Sequence, residues 1–345
     1  MHRNIIVAGA TGKQGQALIR ALLHPSPEAN TASSEHTYHI YALTRNISSP
    51  AAKGLVEREQ NVTVIEGDLD VPDSIRKVFQ KAKQDDVDGQ GQGQGIWGVF
   101  AVLAFPGLGT EADGEERQGK LLADLALEYG VQCFVYSSAM RSGPKYEDEM
   151  KLSSKAKGNV EKYCRVLGEQ GLAWTILRPG FFMENFNGFI GSITTSVLRV
   201  GLQADTKNGL IATDDIGNVA AAVFRDPEKF RSQTLAVIAE YATISEMDES
   251  HRRAKGTSMS AIPRVFGWLL LKLNKATQGL IQDIERSHHA RISGEYPECE
   301  KELELARSAA KMKSYEEWLV QGRDAEGNSE NWNKVSVGKL VTGKL

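Results

Sequence analysis

Asn4-Ile5-Ile6-Val7-Ala8-Gly9-Ala10-Thr11-Gly12-Lys13-Gln14-Gly15-Gln16-Ala17-Leu18-Ile19-Arg20-Ala21-Leu22-Leu23 runs from apolar residues through a glycine-rich loop into a second, amphipathic segment. Asn4 to Ala8 reads as a short buried strand, and Gln16 to Leu23 as a helix with apolar residues at helical spacing. Three glycines, Gly9, Gly12 and Gly15, stand between them. Gly9 permits a tight turn, Gly12 lets the backbone approach a pyrophosphate, and Gly15 allows close packing of helix on strand. The helix N-terminus adds free N–H groups and the positive end of a dipole. A glycine triplet alone is a weak signal. With a strand before it and a helix after it, the loop Gly9-Ala10-Thr11-Gly12-Lys13-Gln14-Gly15 is expected to cradle a dinucleotide.

The chain continues in the same alternation. Strands are expected at Tyr38 to Leu43, Val62 to Ile65, Trp97 to Ala104, Cys133 to Ser137 and Trp174 to Leu177. Helices are expected at Ser74 to Ala82, Gly114 to Tyr129 and Lys155 to Gly168. Strands separated by helices imply parallel pairing with right-handed crossovers. The expected class is therefore α/β, a Rossmann-type doubly wound parallel sheet over residues 1–185. Beyond it the pattern weakens. Gly217 to Phe224 reads as a helix, Thr234 to Ile238 as a strand, and the chain from Pro263 as mainly helical. Residues 186–345 are expected to form a smaller, helix-rich C-terminal lobe lining a substrate or partner cleft, with some segments packing back on the core. Two stretches, His24–Thr37 and Gln84–Gly95, read as long loops. The second carries a Gly/Gln tract with little to pack and reads as a mobile surface loop.

Composition bounds the rest. The 345 residues are 41% hydrophobic and 25% charged, with a formal net charge of -3. Without a basic excess, no direct nucleic-acid partner is expected. The three cysteines, Cys133, Cys164 and Cys299, are widely spaced and suggest neither a disulfide framework nor a metal site. His288-His289 is a consecutive pair that would not share a helix face, so it is not expected to hold a metal. The most apolar stretch, Val265 to Leu273, is far short of the roughly 20 residues a membrane span requires. It reads as lobe core or a cleft lid, with a helix lying on a membrane as the lesser alternative. A cytoplasmic protein is expected, nuclear as well if it is regulatory. The sequence does not fix an oligomeric state.

Cofactor choice is read at the end of the second strand, Thr44-Arg45-Asn46. An NAD site places an acid there for the ribose 2′-hydroxyl, whereas an Arg suits the 2′-phosphate of NADP. Arg45, with no acid beside it, predicts NADP(H). Asp68, ending the third strand, could accept a hydrogen bond from the adenine amino group, or equally be a turn residue.

The loop spacing resembles that of the extended and atypical short-chain dehydrogenases/reductases. More narrowly, the chain resembles the NmrA-like family. The matching stretches are Ala8–Gly15, Leu43–Asn46, Glu66-Gly67-Asp68-Leu69-Asp70, Arg117–Asp124, Tyr136-Ser137-Ser138, Ala156–Tyr163, Arg178–Phe186 and Asp214–Gly217. A weaker echo lies at Tyr315-Glu316-Glu317-Trp318-Leu319. The resemblance implies a Rossmann domain, a small helical lobe and a cleft between them. It places Leu69 beside Asp68 at the cofactor, Arg117 near the phosphates or the cleft mouth, and Lys157 on the nicotinamide ribose. Phe181 to Asn185, with Phe182 and Asn185 at the cofactor, would border the nicotinamide end.

Standard short-chain dehydrogenases pair Tyr with Lys four residues later, so that both face one side of a helix and the Lys lowers the Tyr pKa. Four residues before Lys157 stands Ser153, so that relay is missing. Ser137 and Ser138 are either a catalytic hydroxyl or turn hydroxyls. Two functions follow. In the first, the protein is an NADP(H)-dependent oxidoreductase acting on a small organic carbonyl or enone. Lys157, or a water it orients, then does the proton work, as in reductases resembling the isoflavone-reductase group. In the second, it is a non-enzymatic NADPH redox sensor that changes a regulatory protein partner with cofactor state.

Overall fold

The computed structural model describes residues 2–25, 36–88, 95–107 and 110–321. Its main sheet holds β1 (His2–Ala8), β2 (Thr37–Thr44), β3 (Val62–Glu66), β4 (Gly98–Ala101), β5 (Cys133–Ser137), β6 (Trp174–Pro179) and β9 (Gln233–Val237). They run in the order β3-β2-β1-β4-β5-β6-β9, every pairing parallel. β2 and β4 flank β1, so the winding reverses there, and a crevice opens outside the strand ends at such a switch point.

Alternate residues of one strand face opposite layers. Ile5 and Val7 join Leu18 and Leu22 of α1 (Lys13–Leu23), Val219 and Phe224 of α7 (Thr213–Arg225) and Ala306 of α12 (Cys299–Ala309). Ile6 and Ala8 join the other layer, with Val78 of α3 (Pro72–Asp88), Leu122 of α4 (Asp113–Glu128) and Val160 of α5 (Leu152–Gly168). Apolar runs buried on both faces thus explain the sheet.

β6 leads directly into β7 (Phe181–Phe182), which with β8 (Asn208–Ile211) and β10 (Glu240–Ala242) forms a second, three-stranded sheet in the order β10-β8-β7. Around it lie α6 (Gly188–Gly201), α9 (Ile244–Lys255), α10 (Arg264–Leu273), α11 (Lys275–Ile292) and α13 (Tyr315–Gln321). α9 is fixed by a capping box, in which Thr243 and Glu246 satisfy each other's backbone N–H groups. The helical C-terminal region is as expected. β9, from within it, completes the main sheet beside β6, and α7 and α12 cover that sheet.

A buried charge network ties the region down. Glu161 of α5 takes Arg178 of β6 at 2.6 Å and Arg141 at 2.9 Å, while Arg178 also meets Glu302 of α12 at 3.1 Å and Tyr296. Burial alone would push the Glu161 carboxyl up. The two guanidiniums outweigh it and hold the group down to about 2.

Several expectations are corrected. The helix expected over Ser74–Ala82 continues to Asp88, so Gln84–Asp88 is helix rather than loop. Lys81, Ala82, Lys83 and Gln84 are all good helix formers and offer no stop signal. The remainder of that loop, residues 89–94, and residues 26–35 of the other lie outside the described residues. The fourth strand stops at Ala101, short of Ala104. α10 is only partly lobe core: Leu270 and Leu271 pack against the cluster of Ile193, Val197 and Ile281. It packs through Gly267, where a Cβ would meet Ser196 of α6, and leaves Val265, Phe266, Trp268, Leu269 and Leu273 exposed. Among the described residues no helix is long and apolar enough to cross a membrane.

Candidate functional site

The carboxyl ends of β3, β2 and β1 present Asp68, Arg45 and the glycine loop side by side. Gly9 has φ +82, a left-handed conformation, and a Cβ on it would lie 2.5 Å from the Val102 carbonyl oxygen just past β4. Gly15 is buried, and a Cβ there would overlap the Gly9 carbonyl. These two glycines are demanded by packing. Gly12 differs. It is exposed and extended, at φ -81 and ψ 167, and a Cβ would meet only the Gly9 oxygen, at 3.2 Å. Its lack of a side chain leaves room above the loop.

Gly12 is the N-cap of α1. Among the described residues no side chain caps that helix, and no acidic residue stands in its first turn. Its N-terminal N–H groups and dipole are therefore available to an anion. Inside the loop, Ala10 is fully buried, Thr11 accepts from the Gln16 side chain at 2.8 Å, and Lys13 is half-buried. The Gln14 side chain reaches across to β5, accepting from the Ser137 hydroxyl at 2.6 Å.

Arg45 is exposed, with no hydrogen bond or ion pair among the described residues. Asn46 beside it shapes the turn into α2 (Pro50–Arg58), its Oδ1 accepting from the Ser48 amide at 2.9 Å. Asp68 accepts from the Asp70 amide at 3.0 Å, and Leu69 packs on the core. Arg117 lies on the outside of α4, 70% exposed and 3.9 Å from Asp70. The cradle, Arg45 and Asp68 therefore leave room for a dinucleotide.

Past β5, Ser138 donates to Glu161 at 2.5 Å, so both Ser137 and Ser138 already have acceptors. Phe182 and Asn185 follow β6 and are half-buried. Between them Glu184 is buried, accepting from the Thr213 amide at 2.8 Å and its hydroxyl at 2.6 Å, at the start of α7. Phe186 packs edge-on against Tyr315, which stacks on Trp318, so the C-terminal echo lands on the Phe181–Phe186 segment.

Lys157 is on α5, 14% exposed. Its ammonium contacts Glu115 of α4 at 2.5 Å, and Ser153 donates to the other oxygen of that carboxylate at 2.6 Å. Gly119, one turn after Glu115, lets α4 lie against α5, because a Cβ there would press on Val160 at 2.7 Å. The same glycine abuts Leu103, next to the Val102 on which Gly9 packs, so α4 starts close to the phosphate loop. Glu115 was not among the residues expected at the site. The signal was the i,i+4 spacing of Ser153 and Lys157, which lets one partner meet both.

The sequence model described as the NmrA-like family matches residues 1–319. The chain belongs to the NmrA-like family. Among curated relatives it is similar to the NmrA-like family domain-containing oxidoreductase cpsB of Aspergillus campestris, 24% identical over 74% of each chain. It is also similar to the corresponding oxidoreductase hkm9 of Aspergillus hancockii, 26% identical over 71% of this chain and 70% of that one. Among solved structures it is similar to NmrA, described as a negative transcriptional regulator, with a TM-score of 0.66 and 19% identity over 96% of this chain and 99% of that one. NmrA has also been solved in complex with NAD and with NADP. At that identity the likeness to NmrA establishes the NmrA-like fold.

Proposed function

We propose that this NmrA-like protein is an NADP(H)-dependent oxidoreductase that reduces a small organic carbonyl or enone. The observation that carries the reading is the row along the carboxyl edge of the sheet. Arg45, without a partner among the described residues, ends β2; the phosphate loop follows β1; and the half-buried Lys157 ammonium stands on α5, which follows β5. The naming of relatives such as cpsB and hkm9 as oxidoreductases supports it, as does the NADP complex of NmrA.

Arg45 would hold the 2′-phosphate by its bidentate fork, and the N-terminus of α1 the pyrophosphate. Asp68 and Leu69 would border the adenine end, Arg117 the cleft mouth, and Phe182 and Asn185 the nicotinamide end. When bound, NADPH supplies a hydride. Lys157 keeps N–H donors beyond the one spent on Glu115, so it can hydrogen-bond the ribose and the substrate oxygen. It holds a proton at Nζ, to be given directly or through a water to the oxygen of a reduced carbonyl, or to the enolate that hydride addition to an enone leaves. Ser153 cannot replace a phenol in that role.

A second reading, an NADPH sensor without turnover, is favoured by that Ser153. Lys157→Met separates the two. In an oxidoreductase it cuts kcat by about 10²–10⁴-fold, the usual yield of a positioned acid–base group, with a much smaller loss of NADPH affinity. Turnover indifferent to Lys157→Met would remove the catalytic assignment.

A further inference from the structure

Lys157 has a partner that the cleft does not see. The Glu115 side chain is 1% exposed, against 14% for Lys157, and Ser153 is half-buried. Both of its carboxylate oxygens are taken from one helix face, Oε1 by Lys157 and Oε2 by Ser153. Among the described residues neither Lys157 nor Ser153 has any other side-chain partner. Leu152, immediately before Ser153, is held at φ +50. A left-handed conformation at a residue with a Cβ is strained and persists only where the surroundings impose it.

We infer that Glu115 is a positioning residue that fixes the hydrogen-bond polarity of this edge of the site. An ionised carboxylate only accepts, so the Ser153 hydroxyl must spend its proton on Glu115. What Ser153 offers elsewhere is its lone pairs, as an acceptor. Lys157 is anchored by one N–H and keeps two donors. The site thus presents a cationic donor and, one helical turn before it, a neutral acceptor. A substrate that matches it carries an acceptor oxygen, the carbonyl to be reduced, and a nearby O–H or N–H. A carboxylate would meet lone pairs at Ser153 and is disfavoured there. This inference rests on the reading of Lys157 as the residue that meets cofactor and substrate.

The test is a double-mutant cycle on NADPH affinity, read by calorimetry on the full chain and independent of turnover. Glu115→Gln weakens NADPH binding about three- to tenfold, and Lys157→Met about tenfold or more, the scale of a hydrogen bond from a charged group. In the Lys157→Met background, Glu115→Gln changes affinity by less than about twofold, because groups acting through one contact are not additive. Equal effects of Glu115→Gln in both backgrounds overturn the inference, even if turnover is found. Coupled effects in a protein that turns over no carbonyl or enone uphold Glu115 and remove the oxidoreductase reading instead. Should Glu115→Gln not fold, Glu115→Asp keeps the charge and withdraws it from Lys157. It should weaken NADPH by the same factor, and unchanged affinity overturns the inference.

Discussion

Replacing Arg45 with Ala tests the cofactor assignment through one side chain. Arg45 ends β2, is exposed, and holds no partner among the described residues, so its removal breaks nothing in the fold. A hydrogen bond to a charged group is worth about 1.5–3 kcal/mol. Arg45 stands in water, where charge–charge interactions are weakened, so the lower half of that range applies. At about 1.4 kcal/mol per factor of ten, NADPH should bind roughly ten- to thirtyfold more weakly. NADH lacks the 2′-phosphate and should change by less than about twofold. Arg45→Lys should recover part of the loss, since it keeps the charge but not the fork. The assay is calorimetric titration of both cofactors at low and high salt, and the preference for NADPH should shrink as salt screens the contact. Equal losses for both cofactors, or none for NADPH, would refute the assignment.

Two further predictions follow from geometry. Gly12→Val should cost less stability than Gly15→Val, because Gly12 is extended and its Cβ meets, among the described residues, the Gly9 oxygen at a tight 3.2 Å, yet abolish binding of either cofactor by filling the cradle. Gly15→Val should lose thermal stability as well, since that Cβ overlaps the Gly9 carbonyl; calorimetry and melting curves separate the two. Glu161 is held down to about 2 from 4.5, so its contribution is present above the higher value and lost as pH falls from about 4.5 toward 2. The shift corresponds to on the order of 3 kcal/mol. Unfolding measured against pH should show that loss in the wild type, and Glu161→Gln should be destabilised near neutrality and flatter in the acid window. An acid limb unchanged by Glu161→Gln would mean the network contributes nothing.

Much of this was legible in the sequence because it is local. Buried parallel strands write continuous apolar runs, and the phosphate loop writes its glycines between strand and helix. What escaped depends on partners distant in the chain. α2 is the exception, since its signal is local: Ser49 caps it, accepting from the Ala52 amide at 3.2 Å, and Pro50 stands in its first turn. α6 is rich in Gly, Ser, Thr and β-branched residues, and burial of Ile193, Val197 and Leu198 overrides that composition. Lys157 was legible as a motif position, but Glu115 lies 42 residues away on a neighbouring helix. The role of Glu161 is visible only once the fold brings Arg141 and Arg178 to it, and that of Arg178 once α12 adds Glu302.

The most direct test of the central claim is consumption of NADPH by the wild-type protein, followed by its absorbance against a panel of small aldehydes, ketones and enones, with product analysed for the transferred hydrogen. Turnover of at least one member carrying an O–H or N–H near its carbonyl is expected, with NADPH preferred over NADH. Tight NADPH binding with no turnover of any member would contradict it.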